Sequence, residues 1–312
     1  MKLNKPKFWD TKISFLSILF LPLTFFSLVI IFLKKKFTKT NFFRIPIICV
    51  GNIYLGGTGK TPTSIFLANE LTKLGKKPII LRKFYKSHFD EYELIRNKFD
   101  YLSLNENRAK GLSKIENSDF NIAILDDGFQ DYSINKDLNI ICFHGNQLAG
   151  NGLILPSGPL RDSLNTLKNA HMVLINGSEN NIFEKKILKI NKNLQIFYSY
   201  YKPLNIEKFK GTKLLAVAGI ANPENFFQLL QNNGLKIHKK LVFPDHYNFS
   251  KNEIIKIMNI AKDNDYKIIM TEKDYCKVKK FDTNNIDYLQ VSLEIHDKDK
   301  LLAKIKNFYE NY

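Results

Sequence analysis

An α/β protein in three parts is what the sequence predicts. Three observations predict it: a charge-free N-terminal run, a glycine-rich loop between an apolar strand and a helix, and strand–helix alternation that resumes after a polar break. The 312 residues suffice for two lobes with separate cores. The expected boundaries are an N-terminal membrane anchor over 1–40, a core lobe over 41–205 and a second, smaller α/β lobe over 206–312.

Residues Ile13 to Leu33, ISFLSILFLPLTFFSLVIIFL, carry no charge. As a helix the run would extend roughly 30 Å, about one bilayer core. Lys2, Lys5, Lys7 and Lys12 precede it; Lys34, Lys35, Lys36 and Lys39 follow. Basic flanks of this kind favour anionic headgroups. The run is too long for a signal-peptide core and no small-residue cleavage site follows Leu33. Pro22 sits mid-run and can kink a helix. Charge on both flanks leaves two modes open, a full span and a monotopic, partly inserted helix.

Ile45 to Val50 is an apolar, β-rich run, followed by Gly51-Asn52-Ile53-Tyr54-Leu55-Gly56-Gly57-Thr58-Gly59-Lys60-Thr61-Pro62. A helical pattern with Ile65, Phe66, Leu67, Leu71 and Leu74 then runs to Gly75. Strand, glycine loop and helix are the context of a phosphate-binding loop, hence a P-loop NTPase-like α/β/α lobe. Gly56, Gly57, Thr58 and Gly59 let backbone N–H groups face phosphate, Lys60 would reach the β- and γ-phosphates, and Thr61 would ligate Mg²⁺. The first glycine of the consensus falls at Tyr54 instead. A second apolar strand, Asn121 to Leu125, ends in Asp126-Asp127-Gly128. Carboxylates at the end of a buried strand are where such a protein holds the metal, and either aspartate could stand closer to it.

From Lys213 the alternation resumes. LLAVAGIA reads as a strand, Asn222-Pro223-Glu224 as the start of a helix through Leu230, and Lys239 to Phe243 as a strand. Ser250 with Glu253 is a capping-box signature. KIIMTEKD reads as a strand reaching a loop, with Thr271, Glu272, Lys273 and Asp274 at its carboxyl end, where they either contact nucleotide or stabilise packing. A Lys-rich helix from Asp297 to Tyr309 closes the pattern.

The formal charge of +17 favours an anionic partner: nucleic acid, an acidic membrane surface or a phosphorylated substrate. Nucleic acid is disfavoured, because the N-terminal lysines flank an apolar run and no aromatic–basic recognition module occurs. Cys49, Cys142 and Cys276 have no metal spacing and fit a reducing compartment.

GNIYLGGTGKTP, LDDGFQ, GNGLILPSGPLRD, PDHYNFS and TEKDYCK, in that order, resemble the bacterial tetraacyldisaccharide 4′-kinases over nearly the whole chain. The resemblance implies two α/β/α lobes and ATP, Mg²⁺ and a lipid-linked disaccharide as ligands. It implies phosphorylation of the 4′-hydroxyl of a tetraacylated glucosamine disaccharide 1-phosphate in lipid A biosynthesis. It places the chain on the cytoplasmic face of the bacterial inner membrane, with no nucleic acid and no obligatory protein partner. By motif, Gly56 to Thr61 bind ATP, and Asp126 and Asp127 match the metal-associated pair. Arg161 and Asp162 fall where the family has Arg-Glu. His246 matches the partner of a dyad aspartate, for which Asp90 is the candidate. The implied catalytic set is Asp90, His246, Lys60 and Arg161; Arg82, Glu91 and Asp162 are substrate-side candidates. The sequence departs from the family at Leu81–Tyr85, at Phe89–Tyr92, at Asp131 where a histidine often stands, and at Asp162, one methylene shorter than glutamate. The alternative is a membrane-recruited P-loop ATPase without a lipid acceptor.

Overall fold

The computed structural model describes residues 6–10, 13–281, 283 and 285–310. Lys2, Lys5 and Lys12 of the basic flank lie outside the described residues. Two compact units divide the chain. One comprises Leu3–Phe84, Phe99–Tyr200 and Glu294–Tyr312; the other contains Tyr85–Lys98 and Tyr201–Leu293.

An eight-stranded sheet runs, edge to edge, Val291–Ile295, Gln195–Pro203, Met172–Asn176, Leu138–His144, Ile47–Gly51, Ile122–Asp126, Pro78–Lys83 and Leu102–Asn105. Its inner pairings are parallel. The central strands are buried throughout, because parallel sheets are covered on both faces and so read as unbroken apolar runs. The expected phosphate-loop helix is Lys60–Lys73. Gly59 caps it in the left-handed region at φ 89°, and Gly75 lies just past its end at φ 77°.

In the other unit a parallel sheet runs Ile286–Leu289, Lys267–Thr271, Leu214–Ala218, Ile237–Val242. Alternate residues of Leu214–Ala218 face opposite ways. Leu214, Ala216 and Ala218 pack with Phe226, Phe227 and Leu230, while Leu215 and Val217 pack with Ile254, Ile257 and Ala261. This unit is therefore a three-layer α/β/α arrangement. The capping box forms: Ser250 and Glu253 satisfy each other's backbone N–H at the start of Lys251–Asp263. One expectation changes. The loop after KIIM is a helix, Glu272–Val278, because the Thr271 hydroxyl accepts from the Asp274 N–H and caps it.

The N-terminal run departs from a spanning helix. It breaks at Phe20 into Phe15–Leu19 and Leu21–Phe37, with Pro22 in the first turn of the second piece. Seventeen residues rise about 25 Å, and Lys34, Lys35 and Lys36 occupy the last turn. No helix among the described residues is long and apolar enough to cross a membrane. Its packing is inverted relative to an ordinary surface helix. The polar Ser17 and Thr24 are buried, whereas Phe15 is 77% exposed, Phe25 and Phe26 each 64%, and Phe37 73%. The Thr24 hydroxyl donates to Ser157 Oγ at 2.7 Å, Asn151 Nδ2 donates to Ser17 Oγ at 3.1 Å, and the Trp9 indole N–H donates to the Pro156 carbonyl at 3.0 Å. The polar groups fasten the helix to its unit, and the apolar face points to solvent.

Candidate functional site

The glycine loop leaves the strand Ile47–Gly51 and enters the helix Lys60–Lys73. Gly56 takes φ 142°, a conformation open to glycine. Tyr54 needs no such freedom. It is buried, pairs with Leu160 across an antiparallel bridge and donates its hydroxyl to Asp10 Oδ1 at 2.6 Å. The departure from the consensus glycine thus ties the loop to the N-terminal segment. Asn52 braces the loop from inside, its amide donating to Thr58 Oγ1 at 2.9 Å and to the Gly56 carbonyl at 3.2 Å.

The two aspartates separate into distinct roles. Asp126 is fully buried. Its Oδ2 accepts from Thr61 Oγ1 at 3.0 Å and from Arg82, and its Oδ1 accepts from Ser64 Oγ at 3.1 Å. Arg82 Nη1 also donates to Thr61 Oγ1 at 3.0 Å. Asp127 turns away, with its backbone in the left-handed region at φ 58°, a conformation that costs an aspartate about 1 kcal/mol or more and collects at functional sites. Its carboxylate takes a bidentate pair from Arg161, 2.8 Å to Oδ1 and 3.4 Å to Oδ2, and stands 3.7 Å from Lys60 Nζ. Burial pushes the Asp127 carboxyl up, but the charges of Lys60 and Arg161 outweigh it and hold the group well below the usual carboxylate range.

Arg82, a substrate-side candidate, therefore sits on the Asp126 carboxylate. Asp162, another, is also occupied: it accepts from Lys35 at 3.1 Å, from the Tyr132 hydroxyl at 2.7 Å and from the Ser163 N–H at 2.8 Å. Asp131 accepts from Arg108 at 3.2 Å, and Arg108 donates also to the Asp127 carbonyl at 2.6 Å. Thr61, Asp126 and Asp127 offer hard oxygen donors only, the set that suits Mg²⁺.

In the other unit, Asp90 and Glu91 fall in the first turn of the helix Phe89–Arg96, where the helix dipole favours carboxylates. Asp90 is buried. His246 Nδ1 lies 3.0 Å from both of its oxygens, and Nε2 lies 3.3 Å from Lys273 Nζ. Those partners assign the tautomer: Nδ1–H donates to Asp90 and Nε2 accepts from the ammonium. His246 is held in the left-handed region at φ 55°. Its ring stacks on His88, centroids 4.6 Å apart and planes 6° apart. Burial raises the Asp90 carboxyl, but the hydrogen bond from His246 and the charges of Lys273 and Lys277 overcome this and leave it below its ordinary value. Lys273 also stands 3.3 Å from Glu91 and 3.2 Å from Asp245, and these carboxylates raise its proton affinity despite burial. His88, Glu91 and His246 bring one ligand atom each within 4.8 Å, but the Lys273 ammonium already stands 3.3 Å from two of them.

Sequence reasoning missed Ser64, Arg108, His88 and Lys277, and left Lys273 undecided. Ser64 could have been found by helical spacing, one turn beyond Lys60. Lys273 and Lys277, likewise one turn apart in TEKDYCK, fall on one side of a helix only once Thr271 is read as a cap.

Residues 14–310 match the family described as tetraacyldisaccharide-1-P 4′-kinase. A protein named tetraacyldisaccharide 4′-kinase from Pelagibacter ubique (strain HTCC1062) is 42% identical over 98% of this chain and 98% of its own length. One of the same name from Ruthia magnifica subsp. Calyptogena magnifica is 34% identical over 90% of this chain and 94% of its own. A crystal structure of LpxK from Aquifex aeolicus in complex with ATP is similar with a TM-score of 0.71 at 25% identity, covering 94% of this chain and 99% of that one.

Proposed function

The chain belongs to the tetraacyldisaccharide-1-P 4′-kinase family, and from that premise we propose a division of labour among its residues. It is an ATP-dependent kinase of lipid A biosynthesis, transferring the γ-phosphate to the 4′-hydroxyl of a tetraacylated disaccharide 1-phosphate. ATP binds through the backbone of Gly56 to Thr61 and through Lys60, whose 3.7 Å approach to Asp127 leaves it a loose pair that can turn to phosphate oxygens. Thr61, Asp126 and Asp127 would hold Mg²⁺, which supplies charge neutralisation at the phosphoryl oxygens when bound. Arg161, aimed by Asp127, adds positive charge where negative charge develops. In this reading Arg82 organises Asp126 and Asp162 fastens the N-terminal helix through Lys35, rather than touching the acceptor.

Asp90 is the general base. It takes the proton of the 4′-hydroxyl as that oxygen bonds to the γ-phosphorus; the bond from phosphorus to the bridging oxygen of the leaving diphosphate breaks and ADP departs. His246 orients the carboxylate through Nδ1–H and leaves Asp90 as the acceptor. The observation that carries this reading is the 3.0 Å contact of His246 Nδ1 with both oxygens of Asp90, across 156 positions of sequence. Glu91, held by Lys273, stays beside it as the substrate-side carboxylate.

The outward phenylalanines of Phe15–Phe37, closed by Lys34 to Lys36, support a monotopic seat on the cytoplasmic face of the inner membrane, from which the acylated substrate is drawn. The test is incubation with γ-labelled ATP, Mg²⁺ and a disaccharide 1-phosphate lipid. Wild type should label the lipid and Lys60→Ala and His246→Ala should not. ATP hydrolysis with no labelled lipid would sink the kinase reading.

A further inference from the structure

Lys277 is a buried ammonium on the helix Glu272–Val278 that the chemistry above does not use. Burying such a charge costs free energy unless it is paired. It has two carboxylates: Asp274 Oδ1 at 2.8 Å and Asp90 Oδ2 at 3.5 Å. Asp274 is itself fully buried and cannot move to meet it. Its other oxygen accepts from the Gly219 N–H at 2.7 Å and from Thr271 Oγ1 at 2.7 Å. Gly219 follows the strand Leu214–Ala218, and Thr271 ends its parallel neighbour Lys267–Thr271. A Cβ at Gly219 would lie 3.0 Å from Asp274 Oδ1 and would crowd the carboxylate. A buried chain of partners thus runs from two strand ends through Asp274 and Lys277 to Asp90.

We propose that Lys277, clamped by Asp274, is a positioning residue that fixes the Asp90 carboxylate and favours its ionised form, so that it is ready to accept the hydroxyl proton. The inference rests on Asp90 acting as the base. Lys273 adds a second positive charge beside Asp90, but a more widely shared one. That side chain stands 3.8 Å from Asp90 and is shared with Glu91 and Asp245, whereas the ion pairs of Lys277 among the described residues are with Asp274 and Asp90. Around this cluster, His246 contacts Asp90, Asp245 and Glu91 each stand 3.8 Å from His246 Nε2, His88 pairs with Glu91, and Cys276 of the lysines' own helix lies within reach of the Asp90 and Glu93 charges. Lys86 and Lys280 line a cavity of about 70 Å³ beside it, with Ser87 and Asn248.

The test is the pH dependence of lipid phosphorylation, compared between variants at saturating ATP and Mg²⁺. An opposite charge this close shifts a carboxyl by about 1–3 pH units. Lys277→Met should therefore move the acid limb of kcat upward by about one unit or more, while Lys277→Arg keeps the wild-type limb. Asp274→Asn removes the competing carboxylate and leaves the ammonium to Asp90, so its limb should stay put or move downward. A lysine with only a structural role would shift melting in both variants without opposite effects on the limb. The double variant Asp274→Asn with Lys277→Met strands no buried charge at the clamp. It should fold and still show the upward limb, which keeps the test open if Lys277→Met alone does not fold. Overlaying profiles for Lys277→Met and Lys277→Arg, or parallel shifts for Lys277→Met and Asp274→Asn, would overturn the inference. Asp90→Asn separates the two failures. Normal turnover there removes the base itself. Lost turnover there, with an unmoved limb in Lys277→Met, removes only the clamp.

Discussion

Asp126→Ala should cost the unit that carries the phosphate loop about 3–5 kcal/mol of stability, the range for breaking a buried ion pair by deleting one partner. Three donors converge on that carboxylate: Arg82, Thr61 Oγ1 and Ser64 Oγ. The two hydroxyls can rotate toward other acceptors, so most of the cost falls on Arg82, a buried guanidinium that pairs with Asp126. Removing both charges should be milder. Arg82→Met combined with Asp126→Ala should recover about 2 kcal/mol of the loss, since no uncompensated charge remains. The assay is urea unfolding followed by tryptophan emission. Trp9 is the single tryptophan of the chain, is buried and bonds to the Pro156 carbonyl, so it reports this unit. Neither variant should phosphorylate lipid. If Asp126→Ala loses less than about 1 kcal/mol, or the double variant loses as much as the single, the buried pair does not organise the loop.

His246→Ala and Asp90→Asn should each lower turnover by about 10²–10⁴-fold, the usual worth of a positioned base, while ATP binding by calorimetry changes little; weakened ATP binding of the same size would refute the assignment. Asp127 is held well below its ordinary value of 3.8. A depressed carboxyl contributes stability above its unfolded value that is lost as pH falls through the folded one. Asp127→Asn should thus be less stable than wild type at about pH 7, and the gap should close as pH drops below 3.8; a constant gap in Trp9-monitored unfolding would contradict this. Phe25→Ser with Phe26→Ser should lower cosedimentation with phosphatidylglycerol-containing vesicles at least about 10-fold, each ring contributing about 1.5–3 kcal/mol when buried in lipid. Melting should hardly change, because both rings are exposed, and undiminished vesicle binding would remove the membrane seat.

The local chemistry of the nucleotide end was legible in the sequence because its residues are nearly contiguous. A strand, a glycine loop and a helix fix one another by short-range geometry, so Gly56 to Thr61 stand where the pattern placed them. The capping box at Ser250 and Glu253 was legible for the same reason, spanning one turn. Where the apolar run would break was not decided by its composition. Pro22 fits the first turn of a helix, and the buried bonds of Thr24 and Ser17 set which face turns inward. Adjacent Asp126 and Asp127 look equivalent in a chain, yet one is sealed among hydroxyls and Arg82 while the other, at φ 58°, meets Arg161 and Lys60. The pairing of Asp90 with His246, and of Lys277 with Asp90, joins segments whose separation no periodicity encodes, whereas Lys277 and Asp274 sit one helical turn apart. By itself the sequence determined the α/β class, the phosphate loop and the family; the tertiary structure alone decided which charge meets which, because ion-pair partners are chosen by packing in space and not by spacing along the chain.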